Sequence, residues 1–345
     1  MQRHRTRGRS LETPPSAPRV RIVVRTHDRP QLLARALDDI VEQSYQEWQM
    51  VIINHRGDRA TLDDVVKARA DRFPHECLIV DSDHPIGRDA IIGLGIADAD
   101  TEYVAIHDDD DTWAPDFLTR TVSWLDTHPE HVAVAVKTDI IQERVDQDGV
   151  IILSQTPIRP PFARVSLFDL VHAAHVPPIG YLFRRSAIES AGGFDATLSV
   201  LGDWDLMLRL AVDGQIGYLD GETLAYWRQR PQSEGALANS VIGDLDLHRQ
   251  TDRELRDRAL REYIERNGIG GLLYIARYAD ELYAQSRHEA WLRAREVEAH
   301  VTERIEEQTK HLEAMIAQYA HHYSVFPSLR RAMSRVFHPR RGGYS

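Results

Sequence analysis

The sequence predicts an α/β protein built on a largely parallel sheet and continued by an all-helical C-terminal extension. Three observations carry that expectation. From Val20 to Asp109, short apolar runs alternate with amphipathic stretches at the spacing of strand–helix–strand crossovers. One apolar run ends in four aspartates, "YVAIHDDDD", residues 103–111. From about Gly243 the chain carries no proline until Pro327, and Arg, Glu, Leu and Ala dominate it.

Taken in order, residues 1–18 are basic ("RHRTRGR") and rich in Ser and Pro, which predicts a disordered tail. "VRIVV" is the first strand, and "RPQLLARALDDIVEQ" a helix with Pro30 at its start. "WQMVIIN" and "ATLDDVVKARADRF" repeat the pattern, and so do "CLIVDSD" and "GRDAIIGLGIADA"; "YVAIHDD" is the fourth strand. A helix follows over "APDFLTRTVSWLDTHP", then a hairpin turning at Asp148-Gly149. "SLFDLVHAA" and "RRSAIESAG" are short helices, the second ended by Gly192-Gly193. "WDLMLRLAVDG" is a longer one, closed by Gly214. These pieces form one domain over 19–242, with a helical extension over 243–325 and a basic tail over 326–345. In the extension, Ala294, Val301 and Met315 alternate with Ile305, Leu312 and Tyr319 in a heptad-like register interrupted by Glu298 and Gln308, the pattern of a coiled coil or of a helix packed on its own domain.

Composition narrows the function classes. The 345 residues carry a formal net charge of -11, which argues against nucleic acid as a general partner. Cys77 is the single cysteine, so no internal disulfide forms and a reducing compartment fits. No apolar run approaches the roughly 20 residues that span a bilayer, and the basic N-terminus lacks an apolar secretory core. The expected location is cytoplasmic. "FPSLRRAMSRVFHPRR" mixes aromatics with arginines, a composition suited to peripheral contact with an anionic membrane face.

Chemistry concentrates at the aspartate run. Two carboxylates about 4 Å apart repel by roughly 1 kcal/mol in water and about 4 kcal/mol at an effective dielectric near 20. A solvated acidic turn is the bland reading; a divalent cation with an anionic ligand is the sharp one. All-oxygen ligands suit Mn2+ or Mg2+. In a parallel sheet, ligands bind beyond the carboxyl ends of the strands, where "RTHDRP", "NHRGD" and the aspartates all lie. No phosphate-cradling glycine loop is present, and the run lacks the glycine and distal glutamate of a calcium loop.

Four segments in order, "RTHDRPQLLARAL", "YVAIHDDDDTWAPDFL", "GGFD" and "GDWDLMLRLA", make residues 20–235 resemble glycosyltransferase family 2. The resemblance implies the GT-A nucleotide-diphospho-sugar transferase fold, a Rossmann-like mixed sheet flanked by helices. It implies a metal-dependent, inverting transfer of sugar from a nucleotide-diphosphate donor to a hydroxyl of a glycan, in cell-surface polysaccharide biosynthesis. Carried over residue by residue, Asp110 is the metal ligand, and Asp109 or Asp108 faces the ribose. Asp111 is left between the cluster and the cap of the next helix. The second acidic residue of the family's Glu-Asp pair maps to Asp203, the base on the acceptor hydroxyl, with Gly202 in the first position. A helix cap is the alternative for Asp203, and a first-turn dipole partner is preferred for Asp205. Thr26 matches a nucleotide contact, with His27 and Asp28 as neighbours.

The departures lie in the donor site. The family's base-reading Asp-Asp becomes Asn54-His55; Asn54 still accepts an imide N–H, which keeps UDP- or dTDP-sugar as the first expectation. The family's Arg-Asn pair falls on Ile92-Gly93, leaving Arg88 to reach the diphosphate. "YWRQRPQS" keeps Arg228 but places Arg230 where the family has a metal-binding histidine, and a guanidinium neutralises phosphate rather than binding a cation. "RQRPQSEGALANS" reads as a mobile lid. These departures leave open a non-catalytic nucleotide-sugar-binding scaffold of a polysaccharide assembly complex, and the C-terminal helices offer a homo-oligomer contact.

Overall fold

The structure is a computed structural model that describes residues 3–6, 17–83, 87, 89–146, 149–158, 164–174, 176–231 and 245–322. Four strands run parallel at its centre: β2 (Val20–Thr26), β3 (Trp48–His55), β4 (Cys77–Ser82) and β5 (Tyr103–Asp108). Their apolar runs are near-continuous because both faces are covered. Val20, Ile22 and Val24 enter one core, and Val23 enters the other with Val51 and Ile53. The alternation along β2 thus feeds two layers from one strand.

The first face takes α1 (Pro30–Val41), α2 (Arg59–Lys67) and α4 (Phe117–Thr127); the second takes α3 (Ile92–Ile96) and α7 (Gly202–Asp213). Helix α3 is shorter than the sequence pattern suggests. Its glycines lower helix propensity, and Gly95 faces Val23 so closely that a Cβ would lie 2.6 Å from Val23 Cγ1. Beyond β5 the sheet becomes mixed. β10 (Tyr181–Arg184) pairs antiparallel with both β5 and β7 (His131–Val136), and β11 (Gln215–Leu219) runs parallel to β7. On the opposite edge Arg3–Thr6, expected in the irregular tail, forms strand β1 against β4.

A second sheet of four strands has the order β6 (Thr112–Trp113), β12 (Ala225–Gln229), β8 (Thr138–Asp146), β9 (Gly149–Ile158). The β8–β9 hairpin forms as expected; Asp148 of its turn lies outside the described residues. Helix α5 (Leu167–His172) opens with a capping box between Ser166 and Asp169, and α6 (Arg185–Ser190) ends at Gly192 and Gly193, both at positive φ.

Two compact units divide at Arg258/Ala259, inside α8 (Leu245–Asn267) and beyond the expected boundary at 242. The physical reason is a local contact. Leu255 packs with Leu198 and Trp204, and the Arg256 guanidinium lies 4.9 Å from the Trp204 ring centre. The second unit contains α9 (Gly270–His322), 53 residues long. Among the described residues, no helix is long and apolar enough to cross a membrane.

Candidate active site

The acidic loop is held by the helix that precedes it in space. Arg35 and Asp39 sit four residues apart on α1 and so share one face. Arg35 Nη2 donates to the Asp110 carbonyl at 2.7 Å, and Asp39 Oδ2 accepts the Trp113 backbone N–H at 2.7 Å. The same Asp39 oxygen lies 3.2 Å from His107 Nε2, beneath the loop. Trp113 stacks on Phe117, which ties the end of the loop to α4.

Six carboxylates and five arginines meet around that loop. Arg25 donates to both oxygens of Asp108 at 2.7 and 2.8 Å, and to Asp89 at 3.0 Å. Arg29 reaches Asp109 at 3.2 Å and Asp110 at 3.3 Å. Thr26 Oγ1 donates to Asp109 at 2.7 Å. Arg230, fully buried, bonds Asp110 with one arm and Glu143 with the other, the latter at 3.0 Å. Glu143 also receives Arg35 at 3.0 Å and Arg228 at 2.8 Å. Asp111 does not cap α4, whose N-cap is Asp116; its Oδ1 accepts the Arg228 backbone N–H at 2.8 Å.

Ligand oxygens of Asp108, Asp110 and Asp111 all lie within 4.8 Å of one another. Such an all-carboxylate set suits a hard divalent cation. The charge is concentrated enough to shift protonation. Burial, and then the neighbouring Asp110 carboxylate, push Asp109 up to about 7 and Asp111 well above the usual range. Burial alone would raise Glu143 too, but Arg35 and Arg228 outweigh it and hold it below the ordinary value.

A second group lines the ends of β3 and β4. Asn54 Nδ2 donates to the Gly57 carbonyl at 3.0 Å and to Asp81 at 2.9 Å, which orients its Oδ1 as the acceptor. Asp28 accepts the Asp58 backbone N–H at 2.7 Å, and His27 Nδ1 lies 2.6 Å from the His55 carbonyl. The His55 ring buries Nδ1 without a hydrogen-bond partner, and burial, then Arg56, lowers its pKa.

The third group is the start of α7. Asp203 is not the cap: Leu201 is, at φ 63, and Asp203 stands in the first turn with its carboxylate accepting the Trp204 N–H at 2.8 Å. Asp205 instead pairs with Arg209 at 2.7 Å and faces Arg258 at 3.7 Å. A chain of contacts joins this turn to the acidic loop. Asp108 binds Arg25, Arg25 binds Asp89, and Asp89 Oδ2 accepts the Gly202 N–H at 3.0 Å. A Cβ on residue 202 would sit 2.9 Å from that of Asp89, so glycine is what lets the turn approach.

The structure therefore brings Thr26, Asp108, Asp109, Asp110, Arg228 and Arg230 together, sets Asp28, Asn54 and His55 beside them, and ties Asp203 in through Gly202. Arg88 and residues 232–240 of the expected lid lie outside the described residues. The sequence reading passed over Arg25, Arg29, Arg35, Asp89 and Glu143. Arg25 and Arg29 stand in "RTHDRP" and were visible as basic residues at a strand end, and Arg35 lies further on, within α1. Glu143 carried no signal of its own: it continues the inward alternation of Asp139 and Ile141 along β8, and the arginines it meets are remote in sequence.

Residues 21–192 match the model of the family described as glycosyl transferase family 2. The glycosyltransferase YwdF of Bacillus subtilis is 25% identical over 202 residues, covering 57% of this chain and 70% of that protein. The O-antigen biosynthesis protein RfbC of Myxococcus xanthus is 27% identical over 216 residues, covering 57% of this chain but only 16% of its own length. Among solved structures, S. aureus TarS in complex with UDP-GlcNAc superposes with a TM-score of 0.51 at 16% identity, over 65% of this chain and 62% of that one. At that identity the likeness is one of fold.

Proposed function

Through residues 21–192 the chain belongs to glycosyl transferase family 2, and from that premise we propose that it moves a sugar, with inversion, from a nucleotide-diphosphate donor to a hydroxyl of a glycan. The observation that carries the proposal is the link from Asp108 through Arg25 and Asp89 to the turn bearing Asp203. That link ties the acidic loop at the carboxyl end of β5 to a half-buried carboxylate at the start of α7, which supports the reading. Asp203 accepts the proton of the acceptor hydroxyl as that oxygen attacks the anomeric carbon from the face opposite the leaving diphosphate. Asn54 Oδ1 accepts the imide N–H of uracil or thymine, and His55 flanks the base. Thr26, Asp28 and Asp109 position the nucleoside, and Arg228 and Arg230, with Arg88, face the diphosphate.

Asp110, with Asp108 and Asp111 beside it, is the set that would hold Mn2+ or Mg2+. A bound cation would neutralise charge developing on the leaving diphosphate. The name of the relative RfbC supports an acceptor in surface polysaccharide. The ion pairs on Asp110 favour the second reading, a nucleotide-sugar-binding scaffold. The unit containing α9 serves contact with a second copy of this chain, through the exposed stripe of Val301, Ile305, Leu312, Met315 and Tyr319. The basic tail over 326–345, proposed for peripheral membrane contact, lies outside the described residues.

Calorimetry with UDP, dTDP, GDP and CDP, each with Mn2+ and with chelator, tests the donor site. Metal-dependent binding of one diphosphate is the expected result, and no binding of any of them removes the reading. Release of that diphosphate from its sugar donor in the presence of a glycan acceptor separates enzyme from scaffold.

A further inference from the structure

Arg230 is the most deeply buried guanidinium of the site. Its side chain is fully buried, and it spans Asp110 on the acidic loop and Glu143 on β8. Both carboxylates are engaged by other arginines as well, Asp110 by Arg29 and Glu143 by Arg35 and Arg228. The oxygen that Arg230 takes on Asp110 is Oδ2, the same one Arg29 approaches. Asp110 is also common to the group of three carboxylates able to converge on one cation. A divalent cation on Asp110 would stand against the Arg230 guanidinium as well, and a buried site screens that repulsion poorly.

We propose that Arg230 is a built-in counter-cation, competing with the divalent ion for Asp110 and so setting how tightly this site holds metal. With Arg230 on Asp110 the loop is neutralised from within, and the site is closed to a cation. When a cation enters, the guanidinium leaves Asp110 while its other arm keeps Glu143 as a pivot. That pivot is fixed, because Glu143 is locked by two further arginines. The freed arm then stands beside the cation with its donors available to an anion, so a diphosphate and a metal would enter together more readily than either alone. The inference rests on the proposed donor site but concerns this chain's own residues.

The test is a Mn2+ titration of the full chain without nucleotide, with free Mn2+ read by electron paramagnetic resonance. Arg230→Gln and Arg230→Met remove the competing charge and leave Glu143 paired with Arg35 and Arg228; thermal melts identify which of them folds as the parent does. The neutral variant is expected to bind Mn2+ at least about tenfold more tightly than the parent, a shift of about 1.4 kcal/mol. Arg230→Lys keeps the charge and is expected to stay near the parent's affinity. Adding Asp110→Asn to the neutral variant is expected to abolish the gain. Equal or weaker Mn2+ binding by the neutral variant, or a lysine variant as tight as the neutral one, overturns the proposal. UDP and dTDP calorimetry on the same samples separates the two levels. Nucleotide binding with unchanged Mn2+ affinity removes only the role of Arg230. Absence of nucleotide binding removes the donor-site reading, while the Mn2+ comparison still decides for or against the competition.

Discussion

Two aspartates separated by one residue on α7 differ in what surrounds them. Asp205 is held in ion pairs by Arg209 and Arg258. Asp203 lies in the first turn with its backbone neighbour Gly202 anchored to Asp89, and it is the candidate base by its match to the family's second acidic position. Asp203→Asn is expected to lower transfer by about 100-fold or more, the scale of a lost general base, with diphosphate affinity nearly unchanged. Retained turnover would reassign the base. His55 yields a prediction on pH. Its pKa lies below 6.5 in the folded chain, because burial, then Arg56, disfavours the cation. A depressed histidine contributes stability that is present above the unfolded value and is lost as pH falls through 6.5 toward the folded one. Between about pH 5 and 6.5 the melting temperature of His55→Gln should fall less steeply with acid than that of the parent, and a parallel slope would deny the shift. Residue identities here were legible in part. "HDDDD", Thr26 and Asp203 announce themselves, whereas Leu201 at φ 63 does not, since nothing in "SVLGDWD" demands a left-handed leucine. Asp28, Arg56 and Leu201 are the non-glycine residues at positive φ among the described residues, and all three stand at the site, where the packed sheet can hold such conformations.

At the scale of elements, the site depends on how α1 and β8 present charge. The strand–helix alternation that specifies α1 also dictates that Arg35 and Asp39 share a face, so the support of the acidic loop was readable once its partner was known. The contribution of β8 was not, because the arginines that Glu143 meets come from α1 and from the end of β12, far from it in sequence. Glu143 holds three guanidinia in a buried place, and removing it leaves their charge uncompensated. Glu143→Gln is expected to cost about 3 kcal/mol of stability, the scale of a broken buried ion pair, and to weaken diphosphate binding through Arg228 and Arg230. Denaturant unfolding measures the first effect and calorimetry the second; a variant as stable as the parent would show that the remaining carboxylates suffice. The contact of α8 with Trp204 is subtler. Leu255 closes a small cluster over the turn that carries Asp203, and Leu255→Ala is expected to cost about 2 kcal/mol, the lower end for a buried leucine. Nothing in the extension's composition distinguishes Leu255 from the exposed leucines around it.

At the scale of the whole molecule, the chain divides into a unit built around two large buried cores and a unit whose long helix carries exposed apolar residues. In the first, both faces of the large sheet are covered and the two cores account for the strands. In α9, Val301, Ile305, Leu312, Met315 and Tyr319 are each 40% to 66% exposed. With Gln308 between Ile305 and Leu312 the steps alternate between four and three residues, so they form one seam with a mean period of 3.5, the spacing that keeps a stripe facing a partner helix. An isolated helix gains little from such a stripe, and most helical stability comes from burying it. A second copy of the chain supplies an identical stripe, with Gln308 as the one polar seam position between Ile305 and Leu312 able to favour a particular register. Sedimentation of the full chain is therefore expected to give a mass that rises with concentration to that of a dimer. Ile305→Glu places two like charges in the seam and should weaken assembly by about 10-fold to 100-fold, while the melting of the first unit stays where it was. If the parent sediments as a monomer at every concentration, or the variant assembles as well as the parent, the stripe serves some contact other than self-association.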